Sequence, residues 1–330
     1  MLYISKIRDI EDSKEERNFL SVIERLKGVL GVKKEQVKEK EIWVRDSTDS
    51  IEERVSLSVI KRIKGVLGVE EDNIRVFTNE ELINSSLVMQ AIRGVKSPLK
   101  IEGTKLIECL DKDIEAVVIP YGVTSIESNA FYGCDELYSI EIPNSVVSIG
   151  VRAFRWCESL QHIKIPDSVT DIGYDAFECS GLLEVVLPSS VVNIGASAFS
   201  RCYSLHSVEI PSSVKCIHCY AFSFCHNLEN VKISAGITKL SEGVFANCYN
   251  LRSVKIPDSV VSIGKYAFTE CECLQSVEIP NSVKCIDRYA FCKCKSLQHI
   301  DIPKSVIFIR KGAFNCCLSL DLPKKYKKYC

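Results

Sequence analysis

Cys134-Asp-Glu-Leu-Tyr-Ser-Ile-Glu-Ile-Pro143 is the stretch from which the fold is read. Its skeleton, Cys-x-x-Leu-x-x-[Ile/Val]-x-Ile-Pro, returns about every 23 residues as far as Pro303. A repeat of that length is one coil of a solenoid. No copy can bury its apolar side alone, and stacking on neighbours builds the core.

Working outward, the Ile/Leu-Pro landmark stands at Pro120, Pro143, Pro166, Pro188, Pro211, Pro257, Pro280 and Pro303, with Ser234 in its place once. Between landmarks comes an Ala-Phe pair, giving the column Phe131, Phe154, Phe177, Phe199, Phe222, Phe245, Phe268, Phe291 and Phe314; Val244 replaces the alanine before Phe245. Leu-x-x-[Val/Ile]-x-Ile reads as a short parallel strand with alternate side chains inward. The proline after it lacks an amide donor and ends the ladder. A cysteine column, Cys134, Cys157, Cys179, Cys202, Cys225, Cys248, Cys271, Cys294 and Cys317, falls at the bend between Phe and Leu. There a small buried thiol can serve turn carbonyls, so packing accounts for nine of the seventeen cysteines. The step from Pro166 to Pro188 is one residue short, which places Phe177 and Cys179 closer than their counterparts.

The nine Phe-x-x-Cys-x-x-Leu segments, with their Ile-Pro-x-Ser-Val-x-x-Ile-Gly continuations, resemble the BspA-type (Treponema-type) leucine-rich repeat family. The resemblance implies a curved right-handed solenoid used for protein binding, often in adhesion on bacterial or protist surfaces. The expected fold is therefore an N-terminal α/β domain of about three strand–helix units, followed by a leucine-rich-repeat solenoid of about nine coils with a parallel β-sheet on one face. The boundaries are 1–98 for the α/β domain, 99–113 for a cap hairpin, 114–323 for the repeats and 324–330 for a solvated basic tail.

The α/β expectation rests on a second repeat. Ser21-Val-Ile-Glu-Arg-Leu-Lys-Gly-Val-Leu-Gly-Val32 recurs 37 residues later as Ser58-Val-Ile-Lys-Arg-Ile-Lys-Gly-Val-Leu-Gly-Val69, and a degraded third copy follows. Ser13-x-x-Glu16, Ser50-x-x-Glu53 and Thr78-x-x-Glu81 are capping boxes opening helices of 3.6-residue period. Leu-Gly-Val followed by Asp46-Ser47 also looks like the prosthetic-group motif of acyl carrier proteins, which would single out Ser47. Thr48 stands where that family has Leu, and the equivalent copy has Asp9-Ile10, so a capped helix is the simpler reading. Lys96-Ser97-Pro98 interrupts the helical pattern, and Leu99 to Glu108 reads as two strands about Gly103.

The outward strand positions offer a candidate binding face: Glu141, Lys164, Glu209, Lys232, Lys255, Glu278 and Asp301 in one column, His162 and His299 in a second, Tyr138 and Arg252 in a third. Mixed charge of this kind suits a protein partner better than a phosphate backbone. With 42 basic and 43 acidic residues the chain as a whole gives no electrostatic pull toward nucleic acid. No apolar run reaches the length of a membrane span, and Met1 to Ile10 lacks the apolar core of a signal peptide. Reduced thiols in a cytoplasmic protein are expected, with export to the cell surface by a non-classical route as the alternative.

Catalytic chemistry has no motif behind it. Gly-x-Ser-x-Gly, Walker and Gly-x-Gly-x-x-Gly patterns do not occur, and no cofactor is expected. Cys216-Ile-His218-Cys219 with Cys225-His226 has short zinc-like spacings. No second Cys-x-x-Cys completes the four ligands, so no metal is expected. The sequence points to a non-catalytic interaction scaffold, with a surface adhesin and an activity housed in residues 1–98 as the alternatives.

Overall fold

The computed structural model describes residues 97–329. The strand–helix units and Ser47 lie outside them. The described chain is a β-solenoid of nine coils, each contributing one phenylalanine to a continuous buried core.

Every one of the nine rings is fully buried, and successive rings stack with centroids 5.1–5.8 Å apart. From Phe131 to Phe222 neighbouring planes lie within 5–6° of parallel. Phe245 is tilted 19° from Phe222 and 18° from Phe268. It is the ring preceded by Val244, where the other coils have alanine.

Two parallel ladders run along the stack. The first, expected from the Leu-x-x-[Val/Ile] pattern, pairs Glu184–Val186, Ser207–Ile210, Asn230–Ile233, Ser253–Lys255, Ser276–Glu278 and His299–Asp301 in six-stranded order, with Ala116–Val118 paired to Ser139–Glu141 upstream. Within the coils the second has strands of two residues only, such as Ser148–Ile149 and Ser262–Ile263, on another side of each coil. Strands this short carry too little alternation to be recognised in the sequence.

Both ladders have a break, and the breaks fall in different coils. The first is interrupted after Ser139–Glu141: Lys164 is joined only forward, by a single bridge to Val186. The next coil is the short one, and its Gly181 amide donates to Cys157 O at 3.1 Å. The second ladder stops between Cys216–Ile217 and Lys239–Leu240. That coil carries Ser234 instead of proline. Ser234 N–H donates to Ile210 O at 2.9 Å, and the strands Ser207–Ile210 and Asn230–Ile233 are each four residues long. Restoring the amide thus adds one pair to the first ladder in the coil where the second is lost.

The short coil requires a correction to the cysteine column. Each coil places two residues in the left-handed region, two before and two after its phenylalanine; Arg152 and Trp156 flank Phe154, with φ of 55° and 63°. Cys179, at φ 59°, occupies the second of these bends. Ser180 takes the column position, buried and 3.3 Å from the Cys202 thiol. The missing residue lies after Ser180, and Gly181 fills the tightened turn, where a Cβ would stand 1.9 Å from Glu158 O.

In the column proper, each thiol donates to the carbonyl of the preceding coil's phenylalanine: Cys157 to Phe131, Cys202 to Phe177, Cys225 to Phe199, Cys248 to Phe222, Cys271 to Phe245 and Cys294 to Phe268, at 3.1–3.2 Å. The same carbonyl accepts the amide of its own coil's cysteine, as Phe131 O does from Cys134 N. Cysteine therefore fills the second lone pair of an otherwise half-satisfied buried acceptor. Burial pushes the thiols of Cys157, Cys202 and Cys248 up to about 12.

The ends are closed differently. The hairpin Leu99–Glu102/Lys105–Cys109 turns at Gly103 and joins the second ladder through Lys105–Leu106 on Ser125–Ile126. Cys109 N donates to Ala130 O, the bond each phenylalanine amide makes to the coil ahead, and its thiol meets that of Cys134, the first of the column. At the other end, the segment expected to be a solvated tail is instead a cap. Lys324–Tyr329 forms a 3-10 helix with Tyr326 and Tyr329 packed on the core, and Tyr329 O accepts the Phe314 amide at 3.3 Å. The tyrosines recur every third residue, the period at which 3-10 side chains eclipse.

Candidate binding face

Alternation along a three-residue strand buries the middle residue and turns its two neighbours outward. Ser139–Glu141 and Ser276–Glu278 show this pattern, with Ile140 and Val277 in the core. Parallel pairing without offset then stacks equivalent residues. Glu209 stands against Lys232, Lys232 against Lys255, Lys255 against Glu278, and Glu278 against Asp301. The columns read from the sequence are thus physical rows on the first ladder.

The rows neutralise themselves in part. Lys232 Nζ lies 2.6 Å from Glu209, Arg252 Nε 3.4 Å from Glu229, and His162 Nδ1 3.6 Å from Glu184. Lys164, Lys255, Glu141, Glu278 and Asp301 form no ion pair among the described residues. The paired groups are well exposed, so each contact contributes little to stability, roughly 0–1 kcal/mol. Their consequence is a face of low net field carrying isolated charges of both signs.

Apolar groups interrupt that pattern at one end. Tyr138 is 56% exposed, Val186 74% and Val118 61%. Val118 was not singled out from the sequence, because the first coil was not counted in the face; its pairing with Glu141 puts it at the head of the same row. His162 is brought to this end, beside Glu184. His299 shares its row but sits six coils away, paired with Ser276. The structure therefore does not unite the two histidines.

The zinc-like set is likewise dispersed. Cys216 Sγ lies 3.5 Å from His218 Nε2, but Cys219 is exposed, Cys225 donates to Phe199 O, and His226 lies between Tyr203, tilted at 4.8 Å, and Tyr249, stacked at 4.7 Å. Among the described residues no three His, Cys, Asp or Glu side chains gather to hold a metal ion. Nor does any helix among them have the length and apolar character to cross a membrane.

The sequence profile of the BspA type leucine rich repeat region matches residues 109–227 and 193–321 in six copies. Among curated proteins none matches the chain. Among solved structures, a leucine rich cell surface protein from Faecalibacterium prausnitzii is 33% identical over 58% of this chain and 61% of its own, with a TM-score of 0.40. This chain thus spans less than two thirds of that protein. The leucine rich repeat protein of T. pallidum is 27% identical over 69% of this chain and 88% of its own, with a TM-score of 0.42. One from Bacteroides ovatus is 24% identical over 71% and 88%, with a TM-score of 0.35. The expected cytoplasmic location finds no support in these comparisons. The repeat profile accounts for most of the described coils, and the chain belongs to the BspA-type leucine-rich repeat family.

Proposed function

We propose that this protein is a non-catalytic binding scaffold whose first-ladder face takes a protein partner. The observation that carries the reading is the in-register row running from Lys164 to Asp301, preceded across the ladder break by the Val118–Glu141 pair, with exposed apolar groups toward its first coils and isolated charges of both signs along its length. Such a surface offers a protein both an apolar anchor and charges that fix orientation. Extended stacks of this kind present their binding residues on rigid backbone, so little ordering cost is incurred on association.

Adhesion at a cell surface differs from this reading in location, not in mode of binding. The test is affinity capture from the source cell's lysate and, separately, from its extracellular medium, with the wild-type chain and with Lys232→Glu/Lys255→Glu. Capture of one defined protein, weakened at least ten-fold by the double reversal while the melting temperature stays unchanged, supports the strand face. Equal capture by both forms moves the site elsewhere.

A further inference from the structure

We propose that the C-terminal end of the solenoid docks on membranes bearing anionic phospholipid headgroups. Residues 303–330 hold seven basic side chains (Lys304, Arg310, Lys311, Lys324, Lys325, Lys327 and Lys328) against one acidic, Asp321. The chain as a whole carries a net charge of -1, so the positive charge is concentrated at this end.

The fold turns that composition into a surface. Because Tyr326 and Tyr329 pack inward to cap the last coil, the four lysines of the 3-10 helix are left exposed on the outside. Lys325 and Lys328 lie over the Tyr326 and Tyr329 rings at 4.5 and 5.0 Å, which holds their stems along the cap. In the preceding coils some basic residues find acids one coil back, Lys265 with Glu242, Lys293 with Glu270 and Lys295 with Glu272, while others among the described residues, such as Lys255 and Lys284, form no ion pair but stand singly. Among the described residues none of the seven basic groups of the last coil and cap has such a partner. The opposite end is neutralised, with Lys100 on Glu102 and Lys105 on Glu127.

Apolar side chains on the same terminal coil decide between a membrane and a soluble polyanion. Ile307 is 67% exposed, Phe308 55% and Leu318 81%. Such groups gain nothing from a polyanion in water, but they leave water when a basic surface settles into the headgroup layer. Each lysine brought to an anionic bilayer strengthens partition by about five-fold. The rod would then stand with its end on the membrane and its first-ladder face free.

The test is co-sedimentation of the full chain with phosphatidylcholine vesicles, with and without about 30% phosphatidylserine. The comparison protein is Lys324→Gln/Lys325→Gln/Lys327→Gln/Lys328→Gln, with Ile307→Ser/Phe308→Ser as the apolar counterpart. Expected are binding to the anionic vesicles only, at least a ten-fold loss in the lysine variant, and a smaller loss in the apolar variant that persists at high salt. Should the lysine variant melt early, the wild type's salt dependence decides instead, since a charge-held complex must weaken steeply between about 0.05 and 0.5 M salt. Absent binding, salt-insensitive binding, or displacement by soluble polyphosphate with no effect of the apolar variant would overturn the proposal.

Discussion

Ser241 Oγ donates to the carbonyl of Ile217, at the point where every other coil uses a backbone amide. Gly150 N bonds Ile126 O, Gly195 N bonds Ile172 O and Gly264 N bonds Leu240 O, all at 2.8–2.9 Å. One hydroxyl thus replaces a main-chain link where the second ladder is open. Ser241→Ala should cost about 1–2 kcal/mol, since it leaves a carbonyl without its partner. Serine-to-alanine changes at exposed Ser276 should cost less than about 0.5 kcal/mol. Urea denaturation of the two variants measures the difference.

The same coil makes a second prediction. Ser234→Pro would bring it back to the repeat pattern, yet it should destabilise by about 1 kcal/mol or more. The substitution removes the N–H that Ile210 O accepts and truncates the lengthened strand pair. A stabilised variant in thermal melts would show that the extra ladder pair contributes nothing.

Gly181→Ala should be among the most damaging single changes in the solenoid. A methyl there meets the Glu158 carbonyl at 1.9 Å, and backbone on both sides must move. We expect a loss of about 3 kcal/mol or more. Cys179→Gly, at a left-handed position two residues earlier, should change stability by less than about 1 kcal/mol, because relief of the left-handed backbone is offset by loss of the buried side chain. A large loss at one position and a small change two residues away, read by chemical denaturation, check the corrected register.

Phe199→Ala should cost about 3–5 kcal/mol, because the ring is fully buried and stacked on both sides. Phe314→Ala should cost less, having a ring on one side only. The comparison separates stacking between coils from burial within one.

The thiol column predicts a loss of stability in alkali. Burial holds Cys157, Cys202 and Cys248 near 12, against 9.0 for an unperturbed thiol. Below pH 9 folded and unfolded chains both keep these protons. Above it the unfolded chain releases them while the folded one retains them, so stability falls between about pH 9 and 12. The slope should be roughly 1.4 kcal/mol per pH unit for each such thiol. Denaturation at pH 8 and pH 10, with Cys202→Ala and Cys248→Ala flattening the slope, is the measurement.

The parts of this fold that spacing reveals are those that repeat on one count. Phe, Leu and Ile-Pro recur at a fixed distance, so the core and first ladder follow from the sequence. Cys179 misled because residue identity was matched where position relative to Phe177 decides; counting three residues on leads to Ser180. The cap was hidden by its own lysines, whose charge dominates a segment anchored by Tyr326 and Tyr329. On the binding face, outward positions were legible but their pairing was not. Glu209 and Lys232 are neighbours only once the coils are known to stack without offset.

The two ladder breaks, one after Glu141 and one after Ile217, lie on different sides and several coils apart. A lengthwise pull is therefore always resisted by at least one row of main-chain bonds, with the phenylalanine stack running unbroken beneath both. Beside both breaks a third row of main-chain bonds, made by the phenylalanine amides and the left-handed bends, runs on: Phe154 N to Ala176 O at the first and Phe222 N to Val244 O at the second. Neither gap therefore frees a coil from its neighbour, and a long partner laid along the stack would meet one continuous support.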